Sequence, residues 1–277
     1  NQNYNIGQMK LSRIQSEVAQ DTHRFKCVIA GRRAGKTWLA MRELCYQARE
    51  PNKLIWYITS SYRAAKMILW KEIKQRLIDL NWVSKINESE LTITLDNSSQ
   101  ICLKGAENAQ SLRGISLSYC VIDEAALVSE DTWKEVIRPA LADQKGGAMF
   151  ITTPLGKGNW TFELYQQEKV DPTNWRSWQF TTLEGGFVSE EEIEAAKSDM
   201  SEAQFRQEFL ASWENLGQQV AWAFDREKNV IDLPQLSHRN LIVGADFNVS
   251  PICACVMVRE KDVLYVIDEI QMYSSNT

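Results

Sequence analysis

The sequence is poor in histidine and has no paired cysteines, which limits the metal sites that it can build. It contains two histidines, His23 and His238, and none of its six cysteines forms a Cys-x-x-Cys pair. Because structural zinc sites need clustered cysteine and histidine, we do not expect one here. Three of the cysteines lie in apolar, strand-like runs, which indicates reduced thiols in a core.

Long apolar runs and an excess of positive charge are also missing. No segment approaches the ~20 apolar residues that a membrane-spanning helix needs, and the first residues lack the basic-then-apolar order of a signal peptide. We therefore expect no membrane association and a cytoplasmic location. The net charge of −5 argues against a uniformly basic nucleic-acid-binding surface, although a local basic patch remains compatible with it.

The order of strand-like and helix-like segments predicts an α/β fold. A chain of 277 residues suffices for one large domain, or for one domain and part of another. Helical patterns at 36–49, 61–80 and 129–141 alternate with strands, which indicates a mostly parallel central sheet flanked by helices. The runs 91–95 and 100–103 predict an antiparallel hairpin that decorates the sheet from outside its core. The predicted strands are 26–30, 54–59, 91–95, 100–103, 119–123, 149–152 and 178–181.

The second half of the sequence has a different texture and divides the chain into four segments. Short helices at 159–169, 189–199 and 201–214 predict a small helical subdomain over 156–215, following a core at 1–155. Two of these helices begin with a serine cap followed by an acidic or amide residue at the third helical position. Residues 216–240 are polar and loop-rich, as in a linker. Three strand-like runs within 241–277 then predict the start of another domain.

A glycine-containing loop follows the first predicted strand and precedes a helix. Its sequence is Gly31-Arg32-Arg33-Ala34-Gly35-Lys36-Thr37, after Ala30. Strand, loop and helix in this order are typical of a P-loop, whose backbone N–H groups cradle phosphates. We expect Lys36 to reach the β- and γ-phosphates of ATP and the Thr37 hydroxyl to bind Mg²⁺. The common motif has glycine where this sequence has Ala30, so a chance Gly-Lys-Thr at a helix start is the alternative.

Paired carboxylates end the strand at 119–123. We expect Asp123 to hold the Mg²⁺ that accompanies ATP, and Glu124 to orient and polarise the attacking water. Two acids after a strand can also simply cap a helix. An upstream P-loop in the same chain favours the catalytic interpretation. Hydroxyl residues at Thr152-Thr153-Pro154 end another apolar strand, close to where the γ-phosphate is expected.

Three arginines are candidates for stabilising the transferred phosphoryl group. Arg32 and Arg33 lie inside the loop, and Arg113 lies in Ser111-Leu112-Arg113-Gly114. Arginine can neutralise phosphoryl charge within a subunit or from a neighbouring one, although most surface arginines have no such role.

In its motifs the sequence resembles the large subunit of tailed-phage and related viral terminases. The resemblance spans nearly the whole chain in the right order, and the P-loop with two arginines is its most specific part. Six segments carry it: Ala30 to Thr37, Ser111 to Gly114, Val121-Ile122-Asp123-Glu124-Ala125-Ala126, Thr152-Thr153-Pro154, Glu202–Phe209, and Val243-Gly244-Ala245-Asp246-Phe247.

The resemblance implies roles that the residues alone do not. It makes Gln15 an adenine contact, Arg113 an arginine offered to a neighbour's ATP, and Thr153 part of the motif that couples hydrolysis to movement. It makes the helices of 156–215 a lid, and Asp246 the first metal ligand of a ribonuclease-H-like nuclease. Such nucleases need several carboxylates. Asp268 and Glu269 are nearby acids that follow, but a solvated strand end explains them, and the sequence stops at Thr277. We therefore expect the nuclease part to be incomplete and inactive in this chain.

The resemblance also implies a function and partners. The chain would be the ATP-hydrolysing motor that translocates double-stranded DNA into a capsid, in a protein that is also an endonuclease when complete. Its partners would be DNA, a portal protein, a small terminase subunit and further copies of itself, in a ring that is pentameric on the portal. The location would be the infected cell's cytoplasm and, transiently, the procapsid portal.

Two other functions fit parts of the pattern. A helicase-type or recombinase-type DNA-dependent ATPase uses Lys36, Asp123 and Glu124 in the same way, but a two-lobed helicase needs a second ATPase-like lobe after residue 215. A non-catalytic, nucleotide-gated scaffold would not need Glu124.

Overall fold

The computed structural model describes residues 9–214, 230–232, 240–246 and 252–272. The chain divides into two compact units, 1–218 and 219–277. Within the described residues, no helix is long and apolar enough to cross a membrane.

The first unit is built on an eight-stranded sheet in the order β3-β4-β5-β2-β6-β7-β1-β8. From β5 to β8 all neighbouring strands are parallel, and β3 and β4 are added antiparallel at one edge. The strands are β1 (Phe25–Ala30), β2 (Leu54–Thr59), β3 (Val83–Asn87), β4 (Thr92–Leu95), β5 (Gln100–Gly105), β6 (Tyr119–Asp123), β7 (Gly147–Thr152) and β8 (Trp175–Phe180).

Helices connect the strands and cover both faces of the sheet. Two of the connections contain π-helical segments, Lys66–Trp70 and Thr132–Ile137, and two contain 3₁₀ segments, Ala106–Leu112 and Ala125–Leu127. The α-helices are α1 (Arg13–Gln20), α2 (Lys36–Gln47), α3 (Tyr62–Ala65), α4 (Lys71–Asp79), α5 (Arg138–Ala140), α6 (Trp160–Val170), α7 (Thr182–Gly185), α8 (Glu190–Ser198) and α9 (Glu202–Phe209).

The central strands are apolar on both faces, which is why the sequence shows continuous apolar runs. Successive side chains of a strand point to opposite faces. Val28 of β1 and Tyr57 of β2 therefore lie in one buried cluster with α2, whereas Ile29 and Ile58 lie in the other with Trp133. The predicted α/β class and the mostly parallel sheet are confirmed.

The predicted strands of this unit are confirmed with small shifts at their ends, and β3 was missed. The prediction that 91–95 and 100–103 decorate the sheet from outside is wrong. β5 pairs in parallel with β2, with Ile101 opposite Ile55, and Ile101 and Leu103 are fully buried. The polar turn between β4 and β5 indicated the hairpin correctly, but it carried no information about the strand on the other side of β5.

The predicted boundary at 155/156 falls inside the first compact unit. β8 lies within 156–215 and pairs in parallel with β1 over its whole length, so this segment contributes a strand to the central sheet. The helix predicted over 201–214 ends at Phe209. Ala211 adopts a φ of +54°, and the Ser212 N–H donates to the Arg206 carbonyl, which turns the chain away from the helix axis.

The second unit contains an antiparallel sheet in the order β11-β10-β9. Its strands are β9 (Leu241–Asp246), β10 (Ile252–Glu260) and β11 (Val263–Met272), which confirms the three strands predicted within 241–277. Most of the predicted linker at 216–240, and the Asp246 side chain, lie outside the described residues.

Candidate active site

The candidate site lies where three neighbouring parallel strands end. The sheet order places β6, β7 and β1 side by side, so their carboxyl ends meet at one edge. The glycine-containing loop follows β1, Asp123 ends β6, and Thr152 ends β7. Crevices at the carboxyl ends of parallel strands are the usual ligand sites of such sheets.

The loop between β1 and α2 has the backbone conformation that phosphate binding needs. Gly35 is the N-cap of α2 and adopts a left-handed φ of +78°, and Arg33 adopts a φ of +61°. Lys36 and Thr37 form the first turn of α2, whose N–H groups have no acceptor within the helix. The helix N-terminus and these amide groups favour an anion at this point.

Gly31 of the loop lies so close to neighbouring segments that a side chain would not fit there. A Cβ atom there would lie 2.5 Å from the Thr182 hydroxyl oxygen and 2.7 Å from the Phe209 carbonyl oxygen. Ala30, by contrast, is the last residue of β1, fully buried and paired with Phe180. A methyl group therefore fits where the common motif has its leading glycine, which explains why this departure is compatible with a P-loop.

Lys36 is nearly buried and already surrounded by oxygen atoms. Its ammonium group donates to the Thr153 hydroxyl at 2.7 Å and to the Gly31 carbonyl at 3.1 Å. Burial lowers the pKa of Lys36, and the nearby Glu124 and Asp123 carboxylates oppose that shift. The structure thus brings the predicted Lys36 and Thr153 into direct contact.

Asp123 is 2% exposed and accepts two hydrogen bonds. The Tyr57 hydroxyl donates to its Oδ2 at 2.7 Å, and the Glu124 N–H donates to its Oδ1 at 2.9 Å. Burial nevertheless raises the pKa of the Asp123 carboxyl to about 6. A buried carboxylate in this state gains stability from a cation placed beside it.

Glu124 follows in an unusual backbone conformation, with φ +50° and ψ +47°. Its side chain lines a cavity of about 590 Å³ together with Arg33, Lys36, Thr37 and Phe187. The cavity therefore has the P-loop lysine, the predicted Mg²⁺-binding hydroxyl and the predicted catalytic carboxylate on its walls.

The comparison with known proteins agrees with this geometry. Residues 27–230 match the model of the family described as terminase large subunit, T4likevirus-type, N-terminal. The chain belongs to the terminase large subunit family. A curated relative, the terminase large subunit of Escherichia phage T5, is 28% identical over 269 residues, which is 92% of this chain and 61% of that protein. The corresponding protein of Thermus virus P23-45 is 24% identical over 79% of this chain and 46% of its own length.

Solved terminase structures share the fold. The large terminase ATPase domain of Thermus phage P74-26 has a TM-score of 0.64 at 21% identity and covers 74% of this chain and 94% of that domain. The large terminase of a thermophilic bacteriophage in complex with ADP has a TM-score of 0.66 at 19% identity, covering 95% of this chain and 68% of that one. This terminase chain spans less than two thirds of the length of the curated relatives above.

Arg32 connects the P-loop of this terminase chain to α9. Its N–H donates to the Glu208 carbonyl at 2.5 Å, and its Nε lies 2.8 Å from the Glu208 carboxylate. The Thr182 hydroxyl donates to the Arg32 carbonyl at 2.7 Å. The arginine side chain is 70% exposed, whereas the Glu208 side chain is 28% exposed, so the pair joins a solvent-facing residue of the loop to a partly buried residue of α9. No local sequence pattern indicated Glu208 as a partner of the loop.

Gln15 lies fully buried behind the P-loop. Its side-chain nitrogen donates to the Ala34 carbonyl at 2.9 Å, and its side-chain oxygen accepts from the Ser12 N–H at 3.0 Å. The amide group therefore supports the loop from behind and caps α1. The adenine contact implied by the family resemblance stays a prediction.

Arg113 is not among the described residues that line the cavity. It lies on an exposed turn beside Gly114, and its guanidinium group donates to the Glu135 carboxylate at 3.1 Å. The structure thus places Arg113 on the surface of the subunit and leaves its action on a neighbour's ATP as a prediction.

The Asp123 pKa gives a pH-dependent stability. Because the folded-state pKa of about 6 exceeds the ordinary value of 3.8, the folded protein binds this proton more tightly. The free energy of unfolding therefore falls as pH rises from about 4 to about 6, by roughly 3 kcal/mol at most, and stays lower above pH 6.

We expect Asp123→Asn to stabilise the metal-free protein at pH 8 and to have much less effect near pH 4.5. Urea unfolding of both proteins at the two pH values measures the difference, with the exposed Asp143→Asn as control. Equal urea midpoints for wild type and Asp123→Asn at pH 8 would contradict this expectation. They would show that the hydrogen bonds to the Asp123 carboxylate fully offset the free-energy cost of burying its charge.

Proposed function

We propose that this chain is the ATP-hydrolysing part of a motor that moves double-stranded DNA into a viral capsid. The observation that carries the proposal is the convergence of Asp123, Glu124 and Thr153 on Lys36 at one edge of the sheet, in a member of the terminase large subunit family. Membership of the terminase large subunit family supports this function over a helicase-type or recombinase-type ATPase.

The residues at the site fit Mg·ATP. Thr37 and Asp123 supply oxygen atoms, which Mg²⁺ prefers, and the uncompensated burial of Asp123 leaves a carboxylate that a cation would stabilise. Thr37 and Asp123 would hold the ion, which would supply positive charge to offset the negative charge of the phosphates. Lys36 would neutralise the same phosphates from the loop side.

Glu124 would act as the general base that orients and polarises the attacking water. Its side chain faces the cavity, one residue beyond the proposed Mg²⁺ ligand Asp123. The Thr153 hydroxyl accepts from the Lys36 ammonium at 2.7 Å and would lie at the γ-phosphate end of the site. Hydrolysis of the γ-phosphate would therefore change the contacts of Thr153, the residue directly after β7. Such a change suits a role of Thr153 in coupling hydrolysis to movement.

Arg32 would contribute positive charge to the phosphates once it leaves Glu208. The exchange moves a contact of α9 and thus links nucleotide binding to the helices after β8. We propose these helices, α7 to α9, as the lid, and Gln15 as the residue that fixes the P-loop beneath the nucleotide.

The remaining functional assignments rest on the family alone. We propose that the motor works as a homo-oligomeric ring, pentameric on the portal, in the cytoplasm of the infected cell, with a portal protein and a small terminase subunit as partners. Its DNA contacts should be mainly to phosphates, and so salt-sensitive, because packaging must tolerate any sequence. Asp246 is proposed as a metal ligand of a nuclease domain.

The nucleotide assignment is tested by Lys36→Met. Since hydrogen bonds to charged groups contribute about 1.5–3 kcal/mol, this variant should bind Mg·ATP about 10- to 150-fold more weakly. Titration calorimetry of wild type and variant measures the change, and the exposed Lys71→Met is the matched control. If Lys36→Met binds Mg·ATP as tightly as wild type, the proposal that this loop binds the phosphates is wrong.

A further inference from the structure

A half-exposed phenylalanine lines the cavity beside the P-loop. Phe187 lies in the turn between α7 and α8 and is 51% exposed, although its ring packs against the loop. A Cβ atom at Gly35 would lie 2.2 Å from ring atom Cε2 of Phe187. The close approach of ring and loop therefore requires the glycine.

The position of Phe187 is fixed by backbone contacts of α7. Gly185 packs directly on the P-loop, because a Cβ atom there would lie 2.5 Å from the Ala34 carbonyl oxygen. Gly186 then turns the chain in the left-handed region, at a φ of +77°. A capping box between Thr181 and Glu184 fixes the start of α7. An aromatic ring held in this way is preorganised on an open cavity.

Trp38 also lines this cavity, but its side chain packs against the buried cluster that contains Leu39, and its Nε1 donates to the Lys10 carbonyl at 3.2 Å. A triphosphate held by Lys36 and Thr37 would leave its ribose and base to extend along the cavity. The half-exposed Phe187 ring offers a nucleobase a face on which to stack there.

Gln15 lies directly behind this point but is fully buried, and its amide group is already bonded. The Phe187 ring is half-exposed at the cavity, whereas the Gln15 amide is bonded to the P-loop backbone. Bases stack on aromatic side chains with little dependence on which base it is, since every base has a π-face.

We propose that Phe187 is the platform on which the nucleobase of the bound nucleotide stacks. The inference rests on the proposed function, since it assigns the base-binding part of the same site. Phe187 would thus provide affinity for the nucleoside part of ATP, while the P-loop provides affinity for the phosphates. The α7–α8 turn would bind nucleotide directly.

The test compares ATP with inorganic tripolyphosphate, which has no base, in the presence of Mg²⁺. Phe187→Ala should weaken ATP binding about 10-fold or more and leave tripolyphosphate binding within about twofold of wild type. Phe187→Trp should retain ATP binding, because it keeps an aromatic surface. The matched control is Leu183→Ala, since Leu183 is equally exposed at 51% and belongs to α7.

Each outcome has a separate meaning. Loss of ATP binding alone in Phe187→Ala, with retention in Phe187→Trp, supports the platform. Equal loss of ATP and tripolyphosphate would show that Phe187 only shapes the P-loop, and unchanged ATP binding would show that the base lies elsewhere; either result overturns the inference. If wild type binds neither ligand, the proposed function itself fails.

Discussion

Replacing Glu124 with glutamine should lower the turnover number for ATP about 10²- to 10⁴-fold, the usual contribution of a general base. The substitution keeps the shape of the side chain and removes its ability to accept a proton. Mg·ATP binding should change little, because Lys36, Thr37 and Asp123 are the residues proposed to hold the phosphates and the metal. Steady-state hydrolysis and nucleotide binding, measured on the same preparation, separate the two effects.

The backbone at Glu124 supports a functional reason for its position. A left-handed conformation at a residue with a side chain costs on the order of 1–3 kcal/mol and is kept where the surroundings fix it. Here the Glu124 N–H is bound to the Asp123 carboxylate at 2.9 Å. The turn places Glu124 on the wall of the cavity while Asp123 stays buried beside it.

Glu130→Gln is the matched control, since Glu130 is a glutamate of the same connection paired with Lys134 outside the cavity. It should hydrolyse ATP at the wild-type rate. If Glu124→Gln also turned over normally, the hydrolytic role of this carboxylate would be wrong and another residue would have to activate water.

The candidate site residues could be located from the sequence because of how parallel sheets are built. Asp123 ends an apolar strand, Lys36 and Thr153 come after apolar strands, and parallel strands end at a common edge. Strand recognition was therefore enough to predict that they lie together. The same reasoning found the strand 178–181 but not its place next to β1, because periodicity gives no pairing order.

The supporting residues could not be predicted from their own segments. Tyr57 looks like an ordinary residue of an apolar strand, and only the pairing of β2 with β6 brings its hydroxyl to Asp123. Glu208 and Phe187 lie more than 150 residues after the P-loop that they contact. Their roles depend on how the helices after β8 fold back, which no local pattern specifies.

Replacing Arg113 with alanine should reduce ATP hydrolysis about 10³- to 10⁵-fold in an assembled ring, the range typical of arginines that act across an interface. Nucleotide binding by the isolated subunit should be unaffected. The physical reason is position: the Arg113 side chain is 52% exposed and paired with Glu135, away from the cavity of its own subunit. An exposed pair of this kind is weak enough to be exchanged for a neighbour's phosphate.

Mixing two inactive variants distinguishes action on a neighbour from action within the subunit. Arg113→Ala subunits keep an intact Glu124, and Glu124→Gln subunits keep an intact Arg113. If Arg113 acts across the interface, mixed rings contain some complete sites and regain part of the activity that either variant alone lacks. The exposed Arg63→Ala serves as control and should hydrolyse normally. If the mixtures assemble but stay inactive, Arg113 acts within its own subunit. If rings of Arg113→Ala alone hydrolyse ATP normally, Arg113 has no role in catalysis.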